Sequence, residues 1–147
     1  MIPAQDGAVE CNRLFVYGTL RRGFCLHRHL ADLGASFEAQ GTVAGELFDL
    51  GEYPGARPST GNRKWVYGEL FHLQNPRRDL RILDEVEEFI PAQPERSQFI
   101  REIAEVIQSA AVRQQAWIYW LSAPVPADGT LIASGDYALR SLRDKKD

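Results

Sequence analysis

The hydrophobic pattern along the chain alternates between short β-prone runs and two amphipathic stretches. Leu14-Phe15-Val16-Tyr17 is an uninterrupted apolar run stopped by Gly18, the signature of a buried strand that enters a turn. Leu26, Leu30 and Leu33 then recur at spacings of four and three, with Gly34 placed to cap the C-terminus, and this predicts a short helix. Ser36 to Leu50 and Trp65 to Leu73 carry β-branched and aromatic residues. The first is interrupted by Gly41 and Gly45, and a Gly/Pro-rich loop separates the two, so both predict strands. Asn75-Pro76 supplies a capping side chain followed by a proline suited to the first helical position. Leu80, Leu83 and Val86 continue at spacings of three, predicting a helix to about Glu87. Pro91 and Pro94 mark a loop in which helix cannot continue. Phe99 to Ile107 and Val112 to Leu121 predict a hairpin joined through residues 108–111. Gly135-Asp136-Tyr137 opens a terminal segment expected to be helical through Leu142, with residues 143–147 a frayed tail.

Strands first, a helix in the middle and a hairpin after it predict an α+β domain. A small closed or nearly closed mixed β-barrel with flanking helices would hide the strand edges. The 147 residues suit one such domain, with its core over about 14–142.

Composition narrows the function classes. Seventeen basic against 20 acidic residues leave a net charge of −3 without a basic stripe, which argues against a nucleic-acid-binding surface. Arg77, Arg78 and Arg81 read as the solvated face of the second helix. No apolar run approaches the ~20 residues of a membrane span. The amino end, with Asp6 and Glu10, lacks the pattern of a signal peptide, so a cytoplasmic location is expected. Cys11 and Cys25 have neither a disulfide-scaffold count nor a CxxC spacing, and free thiols are expected. Cys25 and His29 lie four apart on the first helix but match no usual zinc pattern, and no metal or cofactor is expected. GxSxG, GxGxxG and Walker loops are absent from the sequence. The three tryptophans, Trp65, Trp117 and Trp120, fall in strand-like runs and are expected in the core or barrel wall.

Two segments carry candidate chemistry. Asp84, Glu85, Glu87 and Glu88 place four carboxylates in five positions at the C-terminal end of a helix, where the macrodipole disfavours negative charge and like charges repel. Crowding, with burial beside Leu83, Val86 and Phe89, would raise one carboxyl pKa towards the range useful for proton transfer. The same run also suits a solvated acidic helix end. Tyr17-Gly18-Thr19-Leu20 offers successive backbone N–H groups after a strand, an arrangement that binds anions, with Arg21 and Arg22 adding positive charge. An ordinary turn has the same composition.

Taken in order, the residues resemble the γ-glutamylcyclotransferase-like family, which includes the γ-glutamylamine cyclotransferases and the plant avirulence-induced proteins. Phe15 to Gly23, followed by His27-Arg28 and Leu30, is similar to the amino-terminal signature of that branch. Leu83-Asp84-Glu85-Val86-Glu87 is similar to the family's Leu-Asp-x-x-Glu segment, whose last residue is the acid/base. Val43 to Leu50, Tyr53-Pro54-Gly55, Val66 to Leu70 and Phe99-Ile100-Arg101 resemble the pieces between and after, so the likeness covers about Leu14 to Leu121. Two positions depart from it. Glu88 stands where the family usually has glycine, and Phe99 where it usually has tyrosine.

The resemblance implies a 5-oxoproline-forming cyclotransferase acting on a small γ-glutamyl compound. Glu87 would be the general acid/base, Tyr17, Gly18, Thr19 and Leu20 would bind substrate, and Arg101 would bind substrate or partner a carboxylate. A non-catalytic binding domain of the same fold, recognising a γ-glutamyl or other amino-acid-like ligand, is the competing class. An interaction module is a third, and would show an exposed apolar patch.

Overall fold

The structure is a computed structural model that describes residues 11–59, 64–108 and 112–139. The expectations for the amino end, for residues 140–142 and for the tail lie outside the described residues.

Five strands close a mixed barrel: β1 (Arg13–Val16), β2 (Ser36–Asp49), β4 (Trp65–His72), β5 (Phe99–Ile107) and β6 (Arg113–Leu121). Around the barrel the order is β2-β4-β1-β6-β5, and β5 returns to β2 through Thr42 and Ile107. β1 pairs with β6 in parallel and all other pairings are antiparallel. The expected interruption of the third segment does not occur. β2 is one strand of 14 residues with a bulge between Phe37 and Ala39, and it runs through both glycines. Gly41 marks the point of closure, because a Cβ there would lie 2.6 Å from Val106 Cγ1. Its missing side chain lets β5 approach β2.

Two short strands absent from the sequence reading extend the C-terminal half of β2: β3 (Pro54–Pro58) and β7 (Thr130–Leu131). β3 falls in the segment expected to be loop.

Both faces of β1 are buried, which explains its unbroken apolar run. Phe15 and Tyr17 point into the barrel with Val43, Leu47, Leu70 and Ile118. Leu14 and Val16 point outward, to Leu30, Phe71, Leu80, Leu83 and Tyr119. The two helices that cover this outer face are α1 (His27–Asp32) and α2 (Pro76–Val86). α2 begins as its sequence predicts: the Asn75 side chain accepts from the Arg78 N–H at 3.3 Å, with Pro76 in the first turn. Leu80 and Leu83 face the barrel while Arg77, Arg78 and Arg81 are exposed. Burial of such a leucine stabilises by about 1.5–3 kcal/mol, so the amphipathic stripe holds α2 against β1. The loop after it folds on itself around a 3₁₀ turn (Pro94–Arg96), where Ser97 Oγ accepts the Ile90 N–H at 2.7 Å. At the far end, residues 137–139 are helical.

The three tryptophans stand in the core or the barrel wall, as expected: Trp120 is buried, Trp117 is partly buried, and Trp65 is on the wall strand β4 with its side chain exposed. No helix among the described residues is long and apolar enough to cross a membrane.

Candidate functional site

The strand-to-turn junction after β1 and the C-terminal end of α2 meet over one pocket of about 190 Å³. Tyr17, Gly18, Thr19 and Leu20 form one wall and Val86, Glu87 and Glu88 another. Leu26, Tyr53, Pro54, Gln98, Phe99 and Tyr119 are among the residues that complete it. The two segments singled out in the sequence thus share a cavity, although about 70 positions separate them.

The turn is built to present backbone. Tyr17 does not offer its hydroxyl, which is buried, donates to the Tyr119 carbonyl at 2.6 Å and accepts the Ala56 N–H at 3.1 Å. Those bonds tie the end of β1 to β6 and β3. Gly18 is required by contact, since a Cβ would lie 2.6 Å from Pro54 Cγ on the opposite wall. The carbonyls of Gly18 and Thr19 accept from Arg21 and Leu26 at 3.0 Å each, and His27 Nδ1 lies 3.0 Å from the Leu20 carbonyl. The N–H groups of Gly18, Thr19 and Leu20, in contrast, donate to no described residue. They are donors without acceptors at a pocket wall, the local feature that holds an oxyanion or a carboxylate.

Arg21 and Arg22 do not contribute their charge there. Arg21 turns away to Asp136 at 2.9 Å, and Arg22 binds buried Glu69 through its backbone N–H (2.9 Å) and Nε (3.3 Å). Their role is to brace the turn against β4 and the 134–138 region, which corrects the expectation that they add charge to the nest.

The acidic cluster divides into separate roles. Asp84 is buried and fully engaged: Arg101 forks it through Nε (2.7 Å) and a terminal nitrogen (3.1 Å), and the Tyr119 hydroxyl donates to it at 2.7 Å. Arg101 also lies over the Trp117 ring, 4.5 Å from its centroid. It is not among the pocket-lining residues, and its observed partner is this carboxylate. The network pins the last turn of α2 to β5 and β6, three residues before Glu87. Glu85 is exposed.

Glu87 caps α2, its N–H donating to the Leu83 carbonyl at 2.9 Å; it lines the pocket, and its carboxyl group makes no hydrogen bond or ion pair to any described residue. Burial against the apolar walls, and next the charge of Glu88, push its pKa up from 4.5 to about 7. A carboxyl with a pKa in that range is chemically able to take and return a proton near neutrality.

Glu88 adopts the left-handed conformation, with φ of 56°. This conformation turns the chain out of α2, its carbonyl accepting the Gln98 N–H at 3.1 Å, and it is the backbone in which glycine is most at ease. A glycine preference at this position therefore has a conformational cause, and glutamate occupies it here at some strain.

Tyr53, Pro54, Gln98 and Tyr119 carried no chemical signal in the sequence. Gln98 donates to the Tyr53 hydroxyl at 3.0 Å across the mouth, and Tyr53 faces the Phe99 ring with centroids 6.1 Å apart. The Tyr-Pro-Gly piece of the family likeness covers Tyr53 and Pro54 alone. Among the described residues, no group of three or more His, Cys, Asp or Glu is placed to hold a metal ion.

Residues 14–139 match the family described as gamma-glutamyl cyclotransferase, AIG2-like. The chain belongs to this family. It is 30% identical over 114 residues, covering 77% of this chain and 69% of the other, to the gamma-L-glutamyl-butirosin B gamma-glutamyl cyclotransferase of Niallia circulans. The fold is similar to that of YkqA from Bacillus subtilis (TM-score 0.71, 23% identity). That match covers 93% of this chain and 43% of YkqA, so the chain spans less than half of that protein. It is also similar to an AIG2-like protein of Mus musculus (TM-score 0.63, 23% identity, 79% of this chain and 80% of that one).

Proposed function

We propose that the protein is a cyclotransferase that converts a γ-glutamyl amine or γ-glutamyl peptide into 5-oxoproline and the free amine, with Glu87 as general acid/base. The observation that carries this reading is that Glu87, whose carboxyl has no described partner and a pKa pushed up to about 7, lines one pocket with a turn whose backbone N–H groups at Gly18, Thr19 and Leu20 donate to no described residue. The family membership and the activity named for the Niallia circulans relative support it.

The reaction needs what such a pocket offers. The α-ammonium of the γ-glutamyl group loses a proton to the Glu87 carboxylate, and the freed amine attacks its own γ-carbonyl. A C–N bond forms, and the carbonyl oxygen becomes an oxyanion for which the N–H groups of Gly18 to Leu20 are the available donors. Collapse breaks the original amide bond and the departing nitrogen takes the proton held by Glu87. The attacking nitrogen gives up its second proton to the freed carboxylate, which passes it to the released amine, leaving a neutral 5-oxoproline nitrogen and an ammonium. No water is consumed. Nucleophile and electrophile belong to one molecule, so holding the chain bent supplies much of the rate. The pocket's size suits a glutamyl headgroup rather than a whole large ligand, leaving the rest of the amine at the mouth.

The test is a screen of γ-glutamyl amines, γ-glutamyl dipeptides and glutathione with purified protein, reading 5-oxoproline. Release from at least one class is expected. Tight binding of these compounds without 5-oxoproline would favour the non-catalytic binding domain.

A further inference from the structure

We propose that a second cavity, against the outer face of the barrel, is a binding site for a free α-amino acid in its zwitterionic form. It holds about 340 Å³ and shares no residue with the pocket at Glu87. Thr42 of β2 and Tyr67 of β4 line it and pair with each other across the two strands. Their neighbours Val43 and Val66 belong to the barrel core, so the cavity lies on the outside of the β2–β4 pair. Ile107 and Gln108, at the end of β5, and the ion pair Arg21–Asp136 form its other sides.

Arg21 and Asp136 are the charged residues that line this cavity, and each has bonding capacity left. Arg21 is buried, and its Nη1 donates to Asp136 Oδ1 at 2.9 Å. Its Nε is buried without an acceptor among the described residues, and its Nη2 makes no hydrogen bond to any of them. Asp136 Oδ1 also accepts the Ala138 N–H at 3.0 Å, whereas Oδ2 accepts from no described residue. A guanidinium carries several donors, and a buried donor left unpaired is costly, so a further partner is favoured at each end of the pair.

The opposite signs of these two groups select the class of ligand. A simple anion would be held by Arg21 and repelled by Asp136, and a simple cation the reverse. A zwitterion offers an acceptor to the first and a donor to the second without net charge, and both bonds are charge-assisted. An α-amino acid holds its carboxylate and ammonium on one carbon, which matches two opposite charges that are themselves in contact. The neutral side chains fit the remainder. Gln40, Thr42 and Gln108 make no hydrogen bond to any described residue, and Tyr67 and Ile107 offer apolar surface to the ligand's side chain.

Arg21 also joins this cavity to the turn. It follows Leu20 directly, and its N–H donates to the Gly18 carbonyl at 3.0 Å, so a ligand that grips its side chain acts on a residue that anchors the turn. Binding itself requires no reaction at Glu87.

L-leucine is the probe, because it has no γ-carbonyl and cannot be cyclised. Isotope-labelled protein is titrated by NMR, reading the backbone amides and the Arg21 Nε–H signal. Leucinamide, which lacks the carboxylate, and N-acetylleucine, which lacks the ammonium, are the comparisons. Leucine should saturate with a Kd of about 1 mM or tighter, moving the Arg21 Nε–H signal and the amides of Thr42, Tyr67 and Asp136 together. Each comparison compound should bind at least about tenfold more weakly. Arg21→Lys, which keeps the charge and removes Nε, should weaken leucine by a similar factor. Because that change also touches the turn, Gln108→Leu accompanies it, and should weaken leucine several-fold with the rest of the spectrum unchanged. No saturable shift, equal binding of the three compounds, unchanged affinity in either variant, or shifts centred on Tyr53, Val86 and Glu87 would overturn the site. Each of these outcomes leaves the cyclotransferase reading to the 5-oxoproline screen.

Discussion

Replacing Glu87 with glutamine should remove turnover and at the same time stabilise the protein, by an amount that grows as pH rises from about 4.5 to about 7. The amide keeps the size of the carboxyl group and cannot exchange a proton, so the loss in kcat should be at least the ~10²–10⁴-fold attributed to general acid/base catalysis. The stability effect follows from the proton affinity of the site. In the unfolded chain Glu87 titrates at its ordinary 4.5, and in the folded protein at about 7. Between those values the native state binds more protons than the unfolded state, so stability falls as pH rises through this window. Each pH unit is worth about 1.36 kcal/mol, giving roughly 3 kcal/mol, or about 2–3 after allowing for the water that reaches the pocket. Glutamine carries none of this penalty. Urea unfolding of wild type and Glu87→Gln should give curves that converge at about pH 4.5 and separate to their full difference above about pH 7, with the variant the more stable. Glu85→Gln, at an exposed position that the pocket does not include, serves as the control for both readouts. A constant difference across the pH range would show that the effect is packing and not ionisation. Full activity in Glu87→Gln would refute the assignment of the proton carrier.

Two further outcomes test the supports of the site. Asp84→Asn should destabilise the fold by about 2–4 kcal/mol, because it breaks a largely buried pair and leaves Arg101 short of an acceptor. The same loosening of the helix end should lower kcat, as thermal melts and 5-oxoproline assays on one preparation would show. Gly18→Ala should displace Pro54, since the new methyl would sit 2.6 Å from its Cγ. The expected result is a loss of about 1–3 kcal/mol with sharply reduced activity, and wild-type kinetics in this variant would argue against the turn as the oxyanion wall.

Much of the molecule was legible before its shape was known, and the reason is locality. The apolar run of β1, the Asn75 cap with its proline, the three-residue recurrence of α2 and the β5–β6 hairpin are each properties of a few adjacent residues, and each forms where its pattern indicates. The acidic cluster stood out for a related reason, since four carboxylates at the wrong end of a helix are a local electrostatic anomaly, and only the likeness of Leu83 to Glu87 to the family segment singled out Glu87 within it. The backbone turn at Tyr17 to Leu20 was visible as a glycine after a strand.

What only the tertiary structure decided depends on closure of the barrel. β3 and β7 are short, contain proline or lie beside glycine, and become strands because the C-terminal half of β2 supplies a ladder. Gly41 looked like an interruption and is instead the contact through which β2 and β5 join. Arg21 and Arg22 seemed to serve the pocket, until residues 115 and 47 positions away took their charges. Asp84 could not be told from its acidic neighbours until Tyr119, 35 positions on, and Arg101, 17 positions on, converged on it. Periodicity records which face of an element is apolar. It does not record which distant side chain will be within 3 Å of a charge, and that distance is what separates a paired structural carboxylate from a free one in a pocket.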